Sequence, residues 1–216
     1  MLRALLFACT AAAILAADAG TAATRTFSNA TPIAIPASGD AASPYPSGLL
    51  VSGLLDPVET VTVTLRDFGH TWPADVDVLL VGPEGQNLLL MSDVGAGIPV
   101  SGVTLVFSDA ASSQLGSGSE ITSGTWLPSN QAVGLPDAFP PPAPALSGAT
   151  LLEVFAGTDP NGEWSLYVVN DSAGDAGQIA GGWSLTLPEP GAAGGLAAAA
   201  ALLALGVRGR GARRRA

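Results

Sequence analysis

After Leu49 the chain breaks into short β-prone runs about ten residues apart, each closed by glycine, proline, asparagine, aspartate or serine. That punctuation constrains the fold more than any other feature. It leaves no uninterrupted stretch for long amphipathic helices and instead gives the pattern of a β-sandwich. Val61–Leu65 alternates cleanly and places Val61, Val63 and Leu65 on one face. Asp77–Val81 is followed by Gly82-Pro83-Glu84-Gly85, a four-residue hairpin turn, and Gln86–Met91 returns as its partner. Further strands are expected at Val103–Phe107, Thr150–Phe155, Trp164–Val169 and Trp183–Leu187, the last two joined by the polar loop Asn170–Gly177. The Pro-rich stretch from Pro136 to Pro144 lacks ladder donors and is expected to cross the surface in an extended, polyproline-like form. Trp164 and Trp183 are expected in the core.

The 216 residues suit one domain with appendages. Its body is large enough to bury a core without disulfides, and its one cysteine, Cys9, lies in a segment expected to be removed. Lysine is absent, and six of the eight arginines lie in the tails. Between Thr24 and Leu187 only Arg25 and Arg66 face sixteen acidic residues, a balance of −14. Such a surface repels phosphate backbones, which excludes nucleic acid as a partner and favours cations or neutral polymers.

Both ends read as addresses. Residues 1–23 form a signal peptide for the secretion translocon: Arg3 in a short basic start, an apolar run from Ala4 to Ala17, then small residues suited to cleavage after Ala23. At the other end, Leu187-Pro188-Glu189-Pro190 closes the folded region. Gly191–Val207 is seventeen residues without a charge. As a helix these would span roughly 25 Å, enough for a thin bilayer. Arg208, Arg210, Arg213, Arg214 and Arg215 follow, fixing the C-terminus in the cytoplasm and the domain outside it.

The Pro188-Glu189-Pro190 motif, the hydrophobic segment 191–207 and the terminal arginine patch, in that order, resemble the PEP-CTERM sorting signal. That resemblance implies an inner-membrane-anchored precursor, processed near the motif by an exosortase. Its product would then reside at the cell surface or in the extracellular matrix of an exopolysaccharide-producing Gram-negative bacterium. Exopolysaccharide is a further implied partner. An ordinary membrane anchor behind a Pro-rich linker is the alternative reading.

The body, residues 24–187, carries a second resemblance. His70-Thr71-Trp72 through Pro83-Glu84-Gly85, then Gly162-Glu163-Trp164-Ser165-Leu166, the acidic loop with Asp171 and Asp175, and Trp183-Ser184-Leu185 look like the P domain (P/Homo B) of subtilisin-like proprotein convertases. The resemblance implies an all-β, jelly-roll-like antiparallel sandwich of about eight strands. The departure is that no domain bearing an Asp-His-Ser triad accompanies it.

The residues offer little for catalysis. Outside the signal peptide there is one histidine, His70, and no cysteine; no serine sits in a G-x-S-x-G elbow, and a Ser–Lys pair is excluded. A zinc site lacks ligands, no spacing selects a glycosidase carboxylate pair, and His70 reads as a structural hydrogen-bonder. Calcium is the better chemical hypothesis, because it takes six to eight oxygens from carboxylates, carbonyls and water. Asp75 and Asp77, one residue apart, share a side if the chain there is extended. Asp171 and Asp175 lie in a glycine-containing loop, and P domains of some exported proteases bind calcium. These four acids form the expected ligand set, with solvated turn formers as the plain alternative. The expected protein is therefore a non-catalytic, exported envelope component. Two other readings stand beside it: a carbohydrate- or protein-binding module, for which Trp72, Trp126 and Tyr45 are platform candidates, and an orphan P domain accessory to a separately encoded protease.

Overall fold

The computed structural model describes residues 23–131 and 137–189, and residues 23–189 make one compact unit. Among the described residues there are twelve strands: β1 (Thr24–Asn29), β2 (Ile33–Ile35), β3 (Ser47–Val51), β4 (Thr62–His70), β5 (Val76–Val81), β6 (Asn87–Ser92), β7 (Val100–Phe107), β8 (Gly124–Trp126), β9 (Ser129–Asn130), β10 (Gly162–Asn170), β11 (Gly177–Ile179) and β12 (Trp183–Pro188). They form two sheets. One has seven strands, in the order β1-β12-β4-β11-β2, with β7 added to β4 and β8 to β7; the other has five, in the order β3-β10-β5-β6-β9. The pairings are antiparallel except for two short parallel ones, β6 with β9 and β7 with β8.

Period-2 alternation sends one apolar set from each sheet into a shared core. Val63, Leu65 and Phe68 of β4 with Leu185 and Leu187 of β12 meet Val78 and Leu80 of β5, Leu88 and Leu90 of β6, and Leu166 and Val168 of β10. Trp164 and Trp183 are fully buried there, as expected. The Trp164 indole tilts against Phe155 at 4.9 Å and donates to the Pro160 carbonyl at 2.9 Å. Trp183 donates from β12 to the Ser47 hydroxyl on β3 at 3.0 Å, a bond that ties one sheet to the other. Val61, Val63 and Leu65 are all buried, so the alternation read there holds. One glycine is obligatory for the turn into β12: Gly182 has φ +65°, and a Cβ would stand 2.1 Å from the Asn29 carbonyl oxygen.

The fold is thus all-β and sandwich-like, with differences in detail. The expected count of about eight strands becomes twelve because β2, β8, β9 and β11 have three residues or fewer, too few to show an alternation. The loop expected to run from Asn170 to Gly177 ends in β11, which fills the second half of one side of β4. The strand expected over Thr150–Phe155 is not one. Leu152–Phe155 is a single 3-10 turn, whose buried residues Leu152 and Phe155 are three apart, the period of that turn and not of a strand. The Asp109 carboxylate holds its start, accepting from the Leu152 and Glu153 amides at 2.9 and 2.8 Å.

The irregular segment from Asp137 onward crosses the outer face of the five-stranded sheet. Leu79, Leu89 and Tyr167 are buried there against Phe139 and Ala143. Tyr45 closes the cluster edge-on to Tyr167 at 5.0 Å and donates its hydroxyl to the Pro140 carbonyl at 2.9 Å. This strap explains why β5 and β6 read as nearly continuous apolar runs: both faces of their sheet are covered. Among the described residues no helix is long and apolar enough to cross a membrane. The expected signal peptide (up to residue 22), Pro190, the segment 191–207 and the five terminal arginines lie outside the described residues.

Candidate functional site: an acidic cleft over strand β5

Strand β5 is apolar except for Asp77, which shares the outward face with Leu79 and sits beside Val169 of β10. Strap and loops bury it to 1 % exposure. One of its carboxylate oxygens, Oδ2, has no hydrogen-bond partner. The residue borders a cleft of about 290 Å³ that is also lined by Asp40, Asp137, Asn170 and Asp171. Asn170 is likewise fully buried. Its amide nitrogen donates to the Pro36 and Asp175 carbonyls at 2.7 and 2.8 Å, while its Oδ1 has no partner.

The cluster is held by loops. Asp137, at the start of the strap, accepts from the Ser92 hydroxyl at 2.7 Å and from the Asn130 amide at 2.9 Å. Asp171 follows β10 directly, and its backbone N–H donates to the Asp75 carbonyl at 2.9 Å. Asp93 follows β6 in a left-handed conformation, φ 57°. Burial pushes the Asp77 carboxyl up to about 8; Ser92 offsets part of this, and the negative charges of Asp137, Asp171 and Asp93 add to it. Asp171 is raised by burial and then by Asp93 and Asp137. Burial, followed by Asp171 and Asp175, lifts Asp75 to about 6.

Among the described residues both arginines lie on strands of the other sheet. Lysine is absent from the chain. Arg25, on β1 of the seven-stranded sheet, is occupied by the Gly53 carbonyl at 3.2 Å and Glu189 at 3.7 Å. Arg66 lies on β4, its Cβ against Gly181. Among the described residues, no group of three or more His, Cys, Asp or Glu side chains is placed to hold a metal ion.

The four acids expected from the sequence divide. Asp77 and Asp171 line the cleft. Asp75 does not lie on a strand with Asp77. Pro73 opens a 3-10 turn, Pro73–Asp75, so strand alternation cannot be applied across the pair. Asp175 turns to Thr71, whose hydroxyl donates to it at 2.8 Å. Asp93, Asp137 and Asn170 were missed, since residues far apart in sequence meet here only through the strap and loops. His70 is 2 % exposed, and its Nδ1 lies 2.8 Å from the Trp72 carbonyl and 3.1 Å from the Trp72 amide. Burial lowers its pKa, keeping it neutral. Of the sorting motif, Pro188 ends β12 opposite Thr24, and Glu189 reaches Arg25. The three aromatic platform candidates do not gather: Trp72 is 47 % exposed, Tyr45 lies under the strap, and Trp126 packs on the core from β8.

No protein-family model and no curated protein matches this sequence. Among solved structures the chain is similar to one described as the Aeromonas sobria serine protease (ASP) in complex with its chaperone (ORF2), at 14 % identity and a TM-score of 0.37. The match covers 78 % of this chain and 26 % of the other, so this protein spans about a quarter of the length of the chain it matches.

Proposed function

We propose that this is a non-catalytic, exported cell-envelope protein: a jelly-roll-like, P-domain-like module carried between a signal peptide and a PEP-CTERM-type tail that an exosortase cuts. The supporting observation is where the compact unit stops. It spans Ala23–Glu189, and its first and last strands pair directly, Thr24 opposite Pro188. Cleavage after Ala23 and within Pro188-Glu189-Pro190 would remove no residue of the shared core. A body built this way can lose both ends after export and keep its fold. In this reading the precursor is held at the inner membrane by segment 191–207, with Arg208 to Arg215 in the cytoplasm, and the released body joins exopolysaccharide at the surface. The test is intact mass and fractionation of the native protein in cells with and without an exosortase. Loss of the residues beyond the Pro-Glu-Pro motif only in exosortase-positive cells is expected. An uncut C-terminus in both would make the tail a permanent anchor and refute the sorting step.

A further inference from the structure

We propose that the strap is a proton-held cover: the protonated Asp77 carboxyl lets the Asp137 end lie down over the outer apolar face, and loss of that proton lifts this end while the rest of the fold stays closed. The device stands on the cleft alone and holds whether or not the tail is cut. Asp77 and Leu79 are two residues apart on β5 and face the same way, so the acid sits at the rim of the apolar face that Phe139 and Ala143 cover. It is 1 % exposed, and its Oδ2 has no hydrogen-bond partner. Among the described residues the charged groups around it are all acids. Asp93 follows β6, Asp171 follows β10, Asp137 opens the strap, and Asp40 lines the cleft from the segment between β2 and β3. Ser92, the last residue of β6, has a single proton for both carboxyls. It is donated to Asp137 at 2.7 Å, so the charge of an ionised Asp77 is answered only in part.

With the strap down, burial and then the neighbouring charges raise the Asp77 carboxyl to about 8. With its end lifted, water reaches the carboxylate, which returns toward the ordinary value of about 4. Opening is therefore coupled to the release of one proton. Its equilibrium constant rises up to about tenfold per pH unit between those two values and levels off above about pH 8. The other attachments limit what can open. At the far end Asn87 donates to the Ala145 carbonyl at 3.1 Å, its Oδ1 accepts from the Ser147 amide at 2.9 Å, and its own carbonyl accepts from the Ser147 hydroxyl at 2.6 Å. These neutral bonds do not titrate. In the middle, Tyr45 donates to the Pro140 carbonyl, and burial raises its hydroxyl to about 12, so this bond also survives. The strap is thus sensitive to charge only at its start, and the part that lifts is the one carrying Phe139.

The experiment uses the full chain in mild detergent with Cys9→Ala, so that one introduced thiol is followed at a time. Leu79→Cys lies beneath the strap and Val63→Cys between the sheets, both at fully buried positions. Labelling rates, each divided by that of a free thiol at the same pH to remove the thiolate fraction, are measured from pH 5.5 to 9 with and without about 1 M urea. The Leu79→Cys thiol should label at least about tenfold faster than the Val63→Cys thiol at pH 8. Its normalised rate should climb by up to about tenfold per pH unit and level off above about pH 8. Mild urea should leave it unchanged, because a local opening exposes little surface, and should accelerate labelling at Val63→Cys. Adding Asp77→Asn should flatten the pH dependence at Leu79→Cys. Equal rates and equal urea dependence at the two positions would mean that the whole fold opens and would overturn the proposal. So would an undiminished slope with Asp77→Asn, or no slope in the chain that keeps Asp77, a result that stands even if Asp77→Asn fails to fold.

Discussion

Titrating Asp77 in the metal-free protein should make stability fall as pH rises. Its carboxyl is raised to about 8 in the folded chain, against about 4 in an unfolded one. The folded state therefore binds more protons than the unfolded state between those values. The slope of unfolding free energy with pH is then negative. The neutral carboxyl costs nothing below about pH 4; the penalty grows through pH 5–7 and is complete above about 8. A shift of about four units at about 1.4 kcal/mol per unit sets its size at roughly 5 kcal/mol. That is a large part of the total stability of an ordinary domain, about 5–15 kcal/mol. Asp75 and Asp171, also raised, add to the same slope. The assay is urea unfolding at pH 4.5, 6 and 8 in chelator, for the wild type and Asp77→Asn. The amide is neutral throughout, so the variant should match the wild type at pH 4.5 and exceed it by several kcal/mol at pH 8, with only the residual slope of Asp75 and Asp171. A wild-type profile that is flat or rising from pH 5 to 8, or an equally steep profile in the variant, would refute the reasoning.

Two further outcomes test the frame around the cleft. Trp183→Phe removes the indole bond to Ser47 that links the sheets and part of a fully buried ring; it should cost about 1–3 kcal/mol, read as a Tm lower by several degrees. Asp109→Ala leaves the Leu152 and Glu153 amides without their acceptor and should cost about 1–3 kcal/mol in chemical denaturation, most of it recovered by Asp109→Asn.

What could be read from the sequence follows the physics of each element. Strands β4, β5, β6, β7, β10 and β12 were legible because each is long enough for alternation or an apolar run bounded by turn residues. The short strands were not, because three residues carry no period. Thr150–Phe155 misled because Leu151, Leu152, Val154 and Phe155 look like a buried strand, and only the Asp109 cap, 43 residues away, turns them into a 3-10 turn. The candidate site divides in the same way. Asp77 stood out as an acid inside an apolar strand, and Asp171 as part of a glycine-containing loop. Asp137 and Asn170 became visible only once the strap was laid over the sheet, and nothing local marks Asp93 apart from other turn aspartates.

The strap and the cleft are best understood together. An outward sheet face bearing Leu79, Leu89 and Tyr167 needs a cover, and the chain supplies one rich in proline, which gives few backbone donors to anchor it. Its attachments are then mainly side-chain ones: Tyr45 and Tyr167 to carbonyls of the proline run, Asn87 to Ala145 and Ser147, and Asp137 to Ser92 and Asn130. Of these, the Asp137 end lies directly against the buried Asp77 charge, so the fastening that starts the strap is also the one most exposed to electrostatic repulsion. A proton on Asp77, which its raised pKa keeps in place up to about pH 8, relieves that repulsion and holds the cover down. Covering the apolar face and neutralising the cleft are in this sense one problem, which is why an acid is tolerated in the middle of an otherwise apolar strand.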